Sequence, residues 1–243
     1  MTISISLIIP AFNEAERLPQ YLTTIRAYGA EHLSDRYEVL VVDDGSSDGS
    51  KEAIERIATD WPQLTVLQHA QNRGKGAAVR TGMLAAQGEL LLFADADGAT
   101  AVEEEKRLRA AIDDGADVAV GSRLVAGHGI VIQRTWSRAV IGRLFALAAR
   151  GLLEMQVRDT QCGFKMFRRE PGRQLFEQLT EERFLFDLEL LMLANRFGYR
   201  VAEVPVNWSD QPGSQLSPSR ESWRILKGLW RLRRRQITLN SFE

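Results

Sequence analysis

Glu38-Val-Leu-Val-Val-Asp-Asp-Gly-Ser-Ser-Asp-Gly49 joins an almost continuous apolar run to a cluster of acidic and small residues. A short apolar run without alternation is typical of a parallel strand that is buried on both faces. The Asp, Gly and Ser residues that follow favour a turn. The spacing of Ala53, Ile54 and Ile57 then predicts a helix over Ser47–Asp60. This unit of strand, turn and helix indicates an α/β fold.

The same unit recurs along the first half of the chain. Further strands are predicted at 4–10, 64–67, 89–94 and 117–121, and further helices at 14–28, 75–87 and 102–113. Strands that alternate with helices imply parallel βαβ units. We therefore expect a Rossmann-like, mainly parallel sheet flanked by helices, with ligands bound beyond the carboxyl ends of the strands.

The pattern changes after about Gly129. The sequence predicts a long helix without acidic residues at 136–153, a turn and strand at 159–167, an amphipathic helix at 184–197, a strand at 200–208 and a basic helix at 221–235. We expect a single domain over residues 1–219, in which 134–153 is an amphipathic helical insertion. A basic amphipathic helix and tail would follow over residues 220–243.

Composition and charge exclude several classes of protein. With 44% hydrophobic and 26% charged residues, the 243-residue chain has an ordinary globular composition. A formal net charge of −1 and the lack of a nucleic-acid motif argue against a nucleic-acid partner. Three His and one Cys leave no room for a Cys/His zinc cluster, and the single Cys162 favours the cytoplasm.

Neither a signal peptide nor a membrane-spanning helix is predicted. The apolar stretch Ile3–Pro10 lacks the basic start and the cleavage site of a signal peptide. No run reaches the roughly 18 to 20 apolar residues that a spanning helix needs. Any membrane contact is therefore expected to be peripheral.

Asp95 and Asp97 are the sharpest local signal, because they directly follow a predicted buried strand. Past the end of a strand, two carboxylates separated by one residue can approach the same divalent ion. Mg²⁺ and Mn²⁺ prefer oxygen ligands and share them with substrate phosphates. A solvated turn explains the same residue types, so this pattern alone leaves both interpretations open.

Two further polar clusters follow predicted strands. Asp43 and Asp44 either cap the next helix or accept a hydrogen bond from a nucleotide base. Asn72-Arg-Gly-Lys-Gly76 precedes a predicted helix and suits an anion site. It is not a Walker A loop, because Gly76 stands where Ser or Thr is required, and the first strand is not followed by a dinucleotide-binding Gly-x-Gly-x-x-Gly motif.

As an ordered set, the motifs are far more specific than any one of them. They are Pro10-Ala-Phe-Asn-Glu14, Asp43-Asp-Gly-Ser-Ser-Asp-Gly49, Asn72-Arg-Gly-Lys-Gly76, Asp95-Ala-Asp-Gly98, Gly121-Ser-Arg123, Asp159-Thr-Gln-Cys-Gly-Phe-Lys165, Phe186-Asp-Leu-Glu-Leu190 and Val204-Pro-Val-Asn-Trp208. The set resembles the inverting family 2 glycosyltransferases of GT-A fold. Within them it is most similar to the polyprenyl-phosphate hexosyltransferases, and nearest to the dolichyl-phosphate β-glucosyltransferases. The resemblance covers about residues 4–220.

This resemblance implies a nucleotide-sugar site and a metal site. The donor would be bound by Pro10, Phe12, Glu14, Asp43, Asp44, Lys75, Asp95, Ala96 and Asp97. Asp95 and Asp97 would hold Mg²⁺ or Mn²⁺, which neutralises the donor pyrophosphate. Phe12 stands where the family often has Tyr, so the stacking face is kept and the hydroxyl is lost.

The resemblance also implies an acceptor site. Arg123, Arg134 and Arg138 would bind the acceptor phosphate, with the insertion 134–153 beside it. Gln215 stands where the family often has Lys, so this loop lacks the expected cation. The residues expected to take part in catalysis are Asp95, Asp97, Arg123 and Asp187.

The implied reaction moves glucose from UDP-glucose to a polyprenyl phosphate and turns an α-linked donor sugar into a β-linked product. A phosphate monoester with a second pKa of about 6 is largely dianionic near neutral pH. It therefore attacks the sugar without a general base. Asp187 and Glu189 would then support the site instead of accepting a proton.

A lipid acceptor requires a surface that meets the membrane. In the last predicted helix, cations repeat at helical spacing beside apolar residues: Arg220, Arg224, Lys227, Arg231 and Arg234, with Trp223, Leu226 and Trp230. This pattern suits an interfacial helix on anionic lipid, and the helix at 136–153 is expected to lie in the interface as well. We expect a peripheral protein on the cytoplasmic face of a membrane. Packing of these helices on the core, or in a homo-oligomer, is the alternative.

Three other functions remain open at this point. The same chemistry suits mannose from GDP-mannose, or N-acetylglucosamine. A soluble transferase that acts on a glycan hydroxyl would require a general base such as Asp187. A nucleotide-sugar-binding protein without turnover is the third alternative, although it has no need of the Asp95 and Asp97 pair.

Overall fold

The computed structural model describes residues 2–133, Gly151, 155–210 and 227–234. The predicted helix 136–153, apart from Gly151, and the loop that contains Gln215 lie outside the described residues, as do Arg134 and Arg138. The first part of the predicted C-terminal helix, 221–226, lies outside them too.

A seven-stranded sheet forms the centre of the molecule. Its strands in chain order are β1 (Ile5–Ala11), β2 (Tyr37–Asp43), β3 (Leu64–Gln68), β4 (Leu90–Ala94), β5 (Val118–Ser122), β7 (Phe164–Arg168) and β8 (Val201–Pro205). They are arranged in the order β3-β2-β1-β4-β7-β5-β8. In this described sheet, only β7 runs in the opposite direction to the other strands. It lies between β4 and β5 and is antiparallel to both. A second, two-stranded sheet pairs β6 (Ile132–Gln133) with β9 (Trp208–Ser209).

Helices cover both faces of the large sheet. They are α1 (Leu18–His32), α2 (Ser50–Ala58), α3 (Lys75–Ala85), α4 (Glu105–Asp113), α5 (Arg169–Gln178) and α6 (Phe186–Arg196). A 3₁₀ turn, Val102–Glu104, leads into α4. Residues 227–234 are also helical.

The core consists of two apolar layers on opposite faces of the sheet. Along β1, Leu7 and Ile9 belong to the layer with α1 and α4, and Ile8 belongs to the layer with α3, α5 and α6. All seven residues of β1 are buried. A strand that is covered on both faces needs apolar residues at successive positions, which explains the continuous apolar runs in the sequence.

One edge of the sheet collects the loops that carry the motifs. β1, β2, β4 and β5 run in the same direction, so their carboxyl ends lie at the same edge of the sheet. Because β7 is antiparallel, its first residue lies at this edge too. The segment 159–163 therefore joins the loops that follow β1, β2, β4 and β5.

The predicted fold class, a mainly parallel sheet flanked by helices, is confirmed. The helix α5 was missed, because Pro171 and Gly172 disfavour a helix in sequence. Proline is tolerated in the first turn, where its missing N–H has no helical acceptor, and Leu175 and Phe176 bury the helix against the sheet.

The start of α1 also differs from its prediction. The sequence predicts a helix from Glu14, but α1 begins at Leu18. Backbone N–H groups of Asn13 and Glu14 donate instead to the hydroxyls of Ser46 and Ser50, at 2.9 and 2.7 Å. These hydrogen bonds hold the β1–α1 loop against the β2–α2 loop at the motif-bearing edge.

The close packing of α3 on the sheet leads to a stability prediction. A β-carbon at Gly82 would lie 2.5 Å from Ile8 Cγ2 and 3.1 Å from Val42 Cγ2. We expect Gly82→Val to lower the free energy of unfolding by about 1–3 kcal/mol, because overpacking displaces a buried strand. Urea denaturation measures the change. Ala85→Val, at an exposed position of the same helix, is the matched control, and an equal loss in both variants would contradict the packing argument.

Candidate active site

The ion pair between Lys75 and Asp95 lies at the centre of the motif-bearing edge. Asp95 follows β4 directly and Lys75 is the first residue of α3. Lys75 Nζ lies 2.6 Å from Asp95 Oδ1, and the two side chains are 24% and 35% exposed. The ammonium also lies 5.2 Å from the centre of the Phe93 ring. The two predicted donor-site residues are thus brought together from distant parts of the sequence.

Asp97 lies two residues after Asp95 and is half-buried as well. Its Oδ1 accepts a hydrogen bond from the Ala99 N–H at 3.0 Å. Burial raises the pKa of Asp97, and the neighbouring charge of Asp95 raises it further. Two carboxylates that oppose each other's ionisation are a site where a cation is stabilised.

These two carboxylates fit a divalent metal. Mg²⁺ is usually bound by one or two carboxylates together with substrate phosphates. Within the described ranges, no group of three or more His, Cys, Asp or Glu side chains could hold a metal ion. Asp95 and Asp97 therefore match a metal that is shared with a phosphorylated substrate, and not a metal enclosed by protein ligands.

Gly163 lies directly against Asp95. The Asp95 N–H donates to the Gly163 carbonyl at 2.9 Å. A β-carbon at position 163 would overlap the Asp95 carboxylate. Gly163 belongs to a motif that the sequence analysis singled out, but its role depends on a contact across 68 positions of the chain and was missed.

Asp44 holds the loop that leads into α3. Its Oδ2 accepts from the Gly74 N–H at 2.7 Å, and its Oδ1 accepts from the Arg73 N–H at 3.0 Å. His69 Nδ1 lies 2.7 Å from the same Oδ1, and His69 Nε2 lies 2.9 Å from the Thr81 hydroxyl. Asp44 therefore fixes the residues directly before Lys75. His69 has no motif around it and was missed by the sequence analysis.

The other predicted nucleotide-binding residues lie along the same edge. Pro10 and Ala96 are buried, and Phe12 is half-buried. Asp43 is fully buried, and its Oδ1 accepts a hydrogen bond from the Ser46 N–H at 3.2 Å.

Glu14 pairs with Arg17 at 2.6 Å. Burial raises the pKa of Glu14, and the charges of Asp97 and Asp95 contribute to the rise. The charges of the acidic pair therefore act on Glu14, and its role in donor binding stays a prediction.

Arg123 forms a bidentate ion pair with Asp159. Its Nε and Nη2 lie 2.7 and 2.8 Å from the two carboxylate oxygens, and its side chain is 17% exposed. The guanidinium also lies 5.5 Å from the centre of the Trp208 ring. Burial opposes ionisation of Asp159, but Arg123 outweighs it and holds the pKa of Asp159 below its usual range. Asp159 is a third residue whose role was missed.

Asp187 is buried and pairs with Lys165. Lys165 Nζ lies 2.6 Å from Asp187 Oδ1, and the Lys165 side chain is fully buried. Burial raises the pKa of Asp187, and the ammonium groups of Lys165 and Lys75 oppose that rise. Glu189, on the same helix, accepts from the N–H groups of Thr180 and Glu181 and so braces a loop.

The comparisons with known proteins agree on one family. The model of "Glycosyl transferase family 2" matches residues 6–176. A dolichyl-phosphate β-glucosyltransferase of Drosophila melanogaster is 38% identical over 95% of this chain and 78% of the relative. The enzymes of the same name from Homo sapiens and Saccharomyces cerevisiae are 35% and 33% identical, over 95% and 93% of this chain and 78% and 73% of theirs. The chain belongs to glycosyl transferase family 2.

Solved structures agree with the fold of this glycosyltransferase. A glucosyl-3-phosphoglycerate synthase from Mycobacterium tuberculosis, in complex with UDP, superposes with a TM-score of 0.68. It is 19% identical and covers 95% of this chain and 80% of its own. A mannosyltransferase from Pyrobaculum calidifontis with GDP-Man and Mn²⁺ gives 0.59 at 20% identity, over 93% and 61%. At these identities the likeness shows the fold alone. Both complexes hold a nucleotide, and the second also holds a divalent metal.

The contact between Gly163 and Asp95 leads to a prediction for this glycosyltransferase. We expect Gly163→Ala to lower the rate of sugar transfer about 100-fold, because displacing the Asp95 carboxylate by about 1 Å spoils the geometry of the donor site. Initial rates with saturating donor measure the effect.

Gly172→Ala is the matched control. Gly172 lies in α5, which follows β7 at the opposite edge of the sheet, and its β-carbon would lie 3.0 Å from Phe167 Cβ. This variant is expected to lose stability and keep its activity. Equal activities of the two variants would show that Gly163 does not position Asp95.

Proposed function

We propose that this glycosyltransferase moves glucose from UDP-glucose to a polyprenyl phosphate of the dolichyl type and gives a β-linked product. The observation that carries the proposal is the match to several dolichyl-phosphate β-glucosyltransferases along nearly the whole chain. The site geometry supports it, since Lys75, Asp95 and Asp97 lie together at the edge of the sheet where such folds bind ligands.

The donor lies across the carboxyl ends of β1, β2 and β4 in this proposal. Asp44 sets the loop before α3, and Glu14 and Phe12 lie on the neighbouring loop after β1. The Lys75 ammonium, at the first position of α3, favours an anionic group, which suits the donor pyrophosphate. Roles of Pro10, Asp43 and Ala96 in nucleotide binding remain part of this proposal.

Asp95 and Asp97 would hold Mg²⁺ or Mn²⁺, with the remaining ligands supplied by the donor. A bound divalent ion stabilises the negative charge of the nucleoside diphosphate as it leaves. The ion pair with Lys75 orients the Asp95 carboxylate. Lys75 also adds a positive charge beside the leaving group.

The acceptor chemistry requires no general base. A phosphate monoester is already largely dianionic near neutral pH, since its second pKa is about 6. Asp187 is buried and paired with Lys165, which suits a supporting role better than proton abstraction. Arg123 is proposed to meet the acceptor phosphate from its place between Asp159 and Trp208, together with Arg134 and Arg138, which lie outside the described residues.

A metal prediction tests this function. We expect Asp97→Asn to lower transfer to polyprenyl phosphate about 100-fold or more, because one charged ligand of the leaving-group metal is lost. Transfer of labelled glucose to an organic-soluble product measures it, over a titration of Mn²⁺, Mg²⁺ and chelator. Asp113→Asn, at the exposed end of α4, is the matched control.

Several outcomes of this assay would contradict the proposal. Transfer that persists in the presence of chelator would contradict the assignment of a required metal to Asp95 and Asp97. If a donor screen shows that the enzyme uses GDP-mannose or UDP-N-acetylglucosamine in place of UDP-glucose, the proposed donor sugar is wrong. If the enzyme transfers the sugar to a glycan in the absence of any lipid phosphate, the proposed acceptor is wrong.

We propose a peripheral contact with the cytoplasmic face of a membrane, and the helical residues 227–234 support the membrane contact itself. Leu229 and Leu232 pack on Leu185 and Leu188, so one side of the helix is fixed to the catalytic domain. Trp230 is 54% exposed, and the Arg234 guanidinium lies 3.6 Å from the centre of its ring. A basic and aromatic outer face of this kind suits an anionic lipid surface. Among the described residues, no helix is long and apolar enough to cross a bilayer.

Vesicle binding tests this contact. We expect Arg234→Glu to weaken binding to vesicles that contain anionic lipid about 10-fold, because each cation near such a surface contributes about 1 kcal/mol and the substitution reverses its charge. Co-sedimentation with anionic and neutral vesicles measures the effect. Lys51→Glu, on α2, makes the same charge change elsewhere and is expected to bind as the wild type does. Equal losses in both variants would contradict a role for the 227–234 helix.

A further inference from the structure

A buried ion pair lies beside the Phe93 ring, close to which the Lys75 ammonium of the donor site also lies. Lys165 is on β7, opposite Phe93 of β4, and its side chain is fully buried. Its Nζ lies 2.6 Å from Asp187 Oδ1 in the first turn of α6. A buried pair of charges is weak evidence for a gain in stability, because desolvation offsets the attraction. The position of this pair therefore requires another explanation.

Lys165 also closes the turn that precedes β7. Its Nζ donates to the Cys162 carbonyl at 2.5 Å, so the ammonium ties the start of the turn to α6 through Asp187. The next residue, Gly163, accepts the Asp95 N–H and lies against the Asp95 carboxylate. An unbroken set of contacts thus runs from Asp187 through Lys165 and the Cys162–Gly163 turn to Asp95.

Two ion pairs lie around Phe93, of which one is partly exposed and the other is buried. The ammonium groups of Lys75 and Lys165 lie 5.2 and 5.9 Å from the centre of its ring, and each pairs with one carboxylate. Lys75 and Asp95 are partly exposed, so a substrate reaches them. Lys165 and Asp187 are buried, so a substrate does not reach them directly.

We propose that Lys165 and Asp187 are positioning residues of the transfer reaction. Their ion pair holds the Cys162–Gly163 turn in place, and the turn sets the position of the Asp95 carboxylate at the donor and its metal. The inference rests on the proposed function only in assigning Asp95 to the metal-bound donor. In this inference Asp187 acts indirectly and does not contact the sugar or the acceptor.

Three variants test the pair as a unit: Asp187→Asn, Lys165→Met and the double variant. Each is examined for Mn²⁺-dependent binding of UDP by calorimetry and for the Mn²⁺ dependence of glucose transfer. We expect the Mn²⁺ concentration for half-maximal binding to rise about 10- to 100-fold, as is usual when the support of a metal ligand is lost. UDP binding without metal is expected to stay unchanged. The double variant is expected to be no worse than the worse single variant, because residues that act as a unit are not additive.

A second readout reports the turn itself. Cys162 is the single cysteine of the chain, it is fully buried, and burial raises the pKa of its thiol to about 12. Native wild-type protein is therefore expected to resist alkylation at pH 8. Both single variants are expected to react faster well below their unfolding temperature, because the Cys162 carbonyl has lost its tie to α6.

Glu105→Gln is the matched control for removal of a buried charge. Glu105, in α4, accepts from Tyr28 and pairs with Arg109. It is expected to change the melting temperature without changing Mn²⁺-dependent binding or alkylation of Cys162. If Lys165→Met does not fold, Asp187→Asn and the uncharged Lys165→Met/Asp187→Leu variant carry the test, since removing both charges leaves no unpaired charge buried.

The outcomes separate this inference from the proposed function. A fall in kcat for Asp187→Asn with an unchanged Mn²⁺ dependence, beside a nearly wild-type Lys165→Met, would overturn the inference and place Asp187 in contact with a substrate. Additive effects of the two substitutions, or unchanged alkylation of Cys162, would overturn it as well. If the wild type transfers no glucose to polyprenyl phosphate while Mn²⁺-dependent UDP binding responds as expected, the proposed function fails and the inference stands.

Discussion

The contact between Lys75 and Asp95 is the interaction on which the candidate site depends. It joins the first residue of α3 to the first residue after β4, so both elements must be held in place for it to form. Asp44 fixes the loop before Lys75, and the Gly163 carbonyl fixes the backbone of Asp95. Both supports come from strands that neighbour β1 or β4. The order of the strands in the sheet thus determines the geometry of the acids.

Charged side chains at this edge are held by other charged or polar groups of the protein. Arg123 is held by Asp159 and Asp187 by Lys165. Such pairs keep ionised groups in fixed positions where water is largely excluded, and electrostatic stabilisation of a leaving group benefits from groups that need not reorganise. A transferase with a strong nucleophile and no need for a base would rely on this arrangement. In the proposed function, these buried charges orient groups at the site and do not transfer protons.

Much of the fold was predictable because its signals are local. Continuous apolar runs, helical periodicity and the turn residues after each strand predicted the alternating elements, and the Asp95-Ala-Asp97 pattern marked the acidic pair. The helix α5 was missed since its local signal is contradicted by Pro171, and burial on the sheet outweighs that preference. His69, Asp159, Gly163 and Lys165 acquired their roles from partners more than ten positions away. No pattern in a short window reveals such partners.

By itself the sequence determined that the chain is an α/β protein of the family 2 glycosyltransferase type, with acidic residues at the ends of its strands. Those features follow from apolar periodicity and from residue types at short spacing. Only the tertiary structure decided that β7 runs against its neighbours and brings the Cys162–Gly163 turn to the acidic pair. It also decided that Lys165 meets Asp187 and that Arg123 meets Asp159. The reason is physical: a buried charge must find a partner, and which partner it finds depends on how the strands are ordered in space.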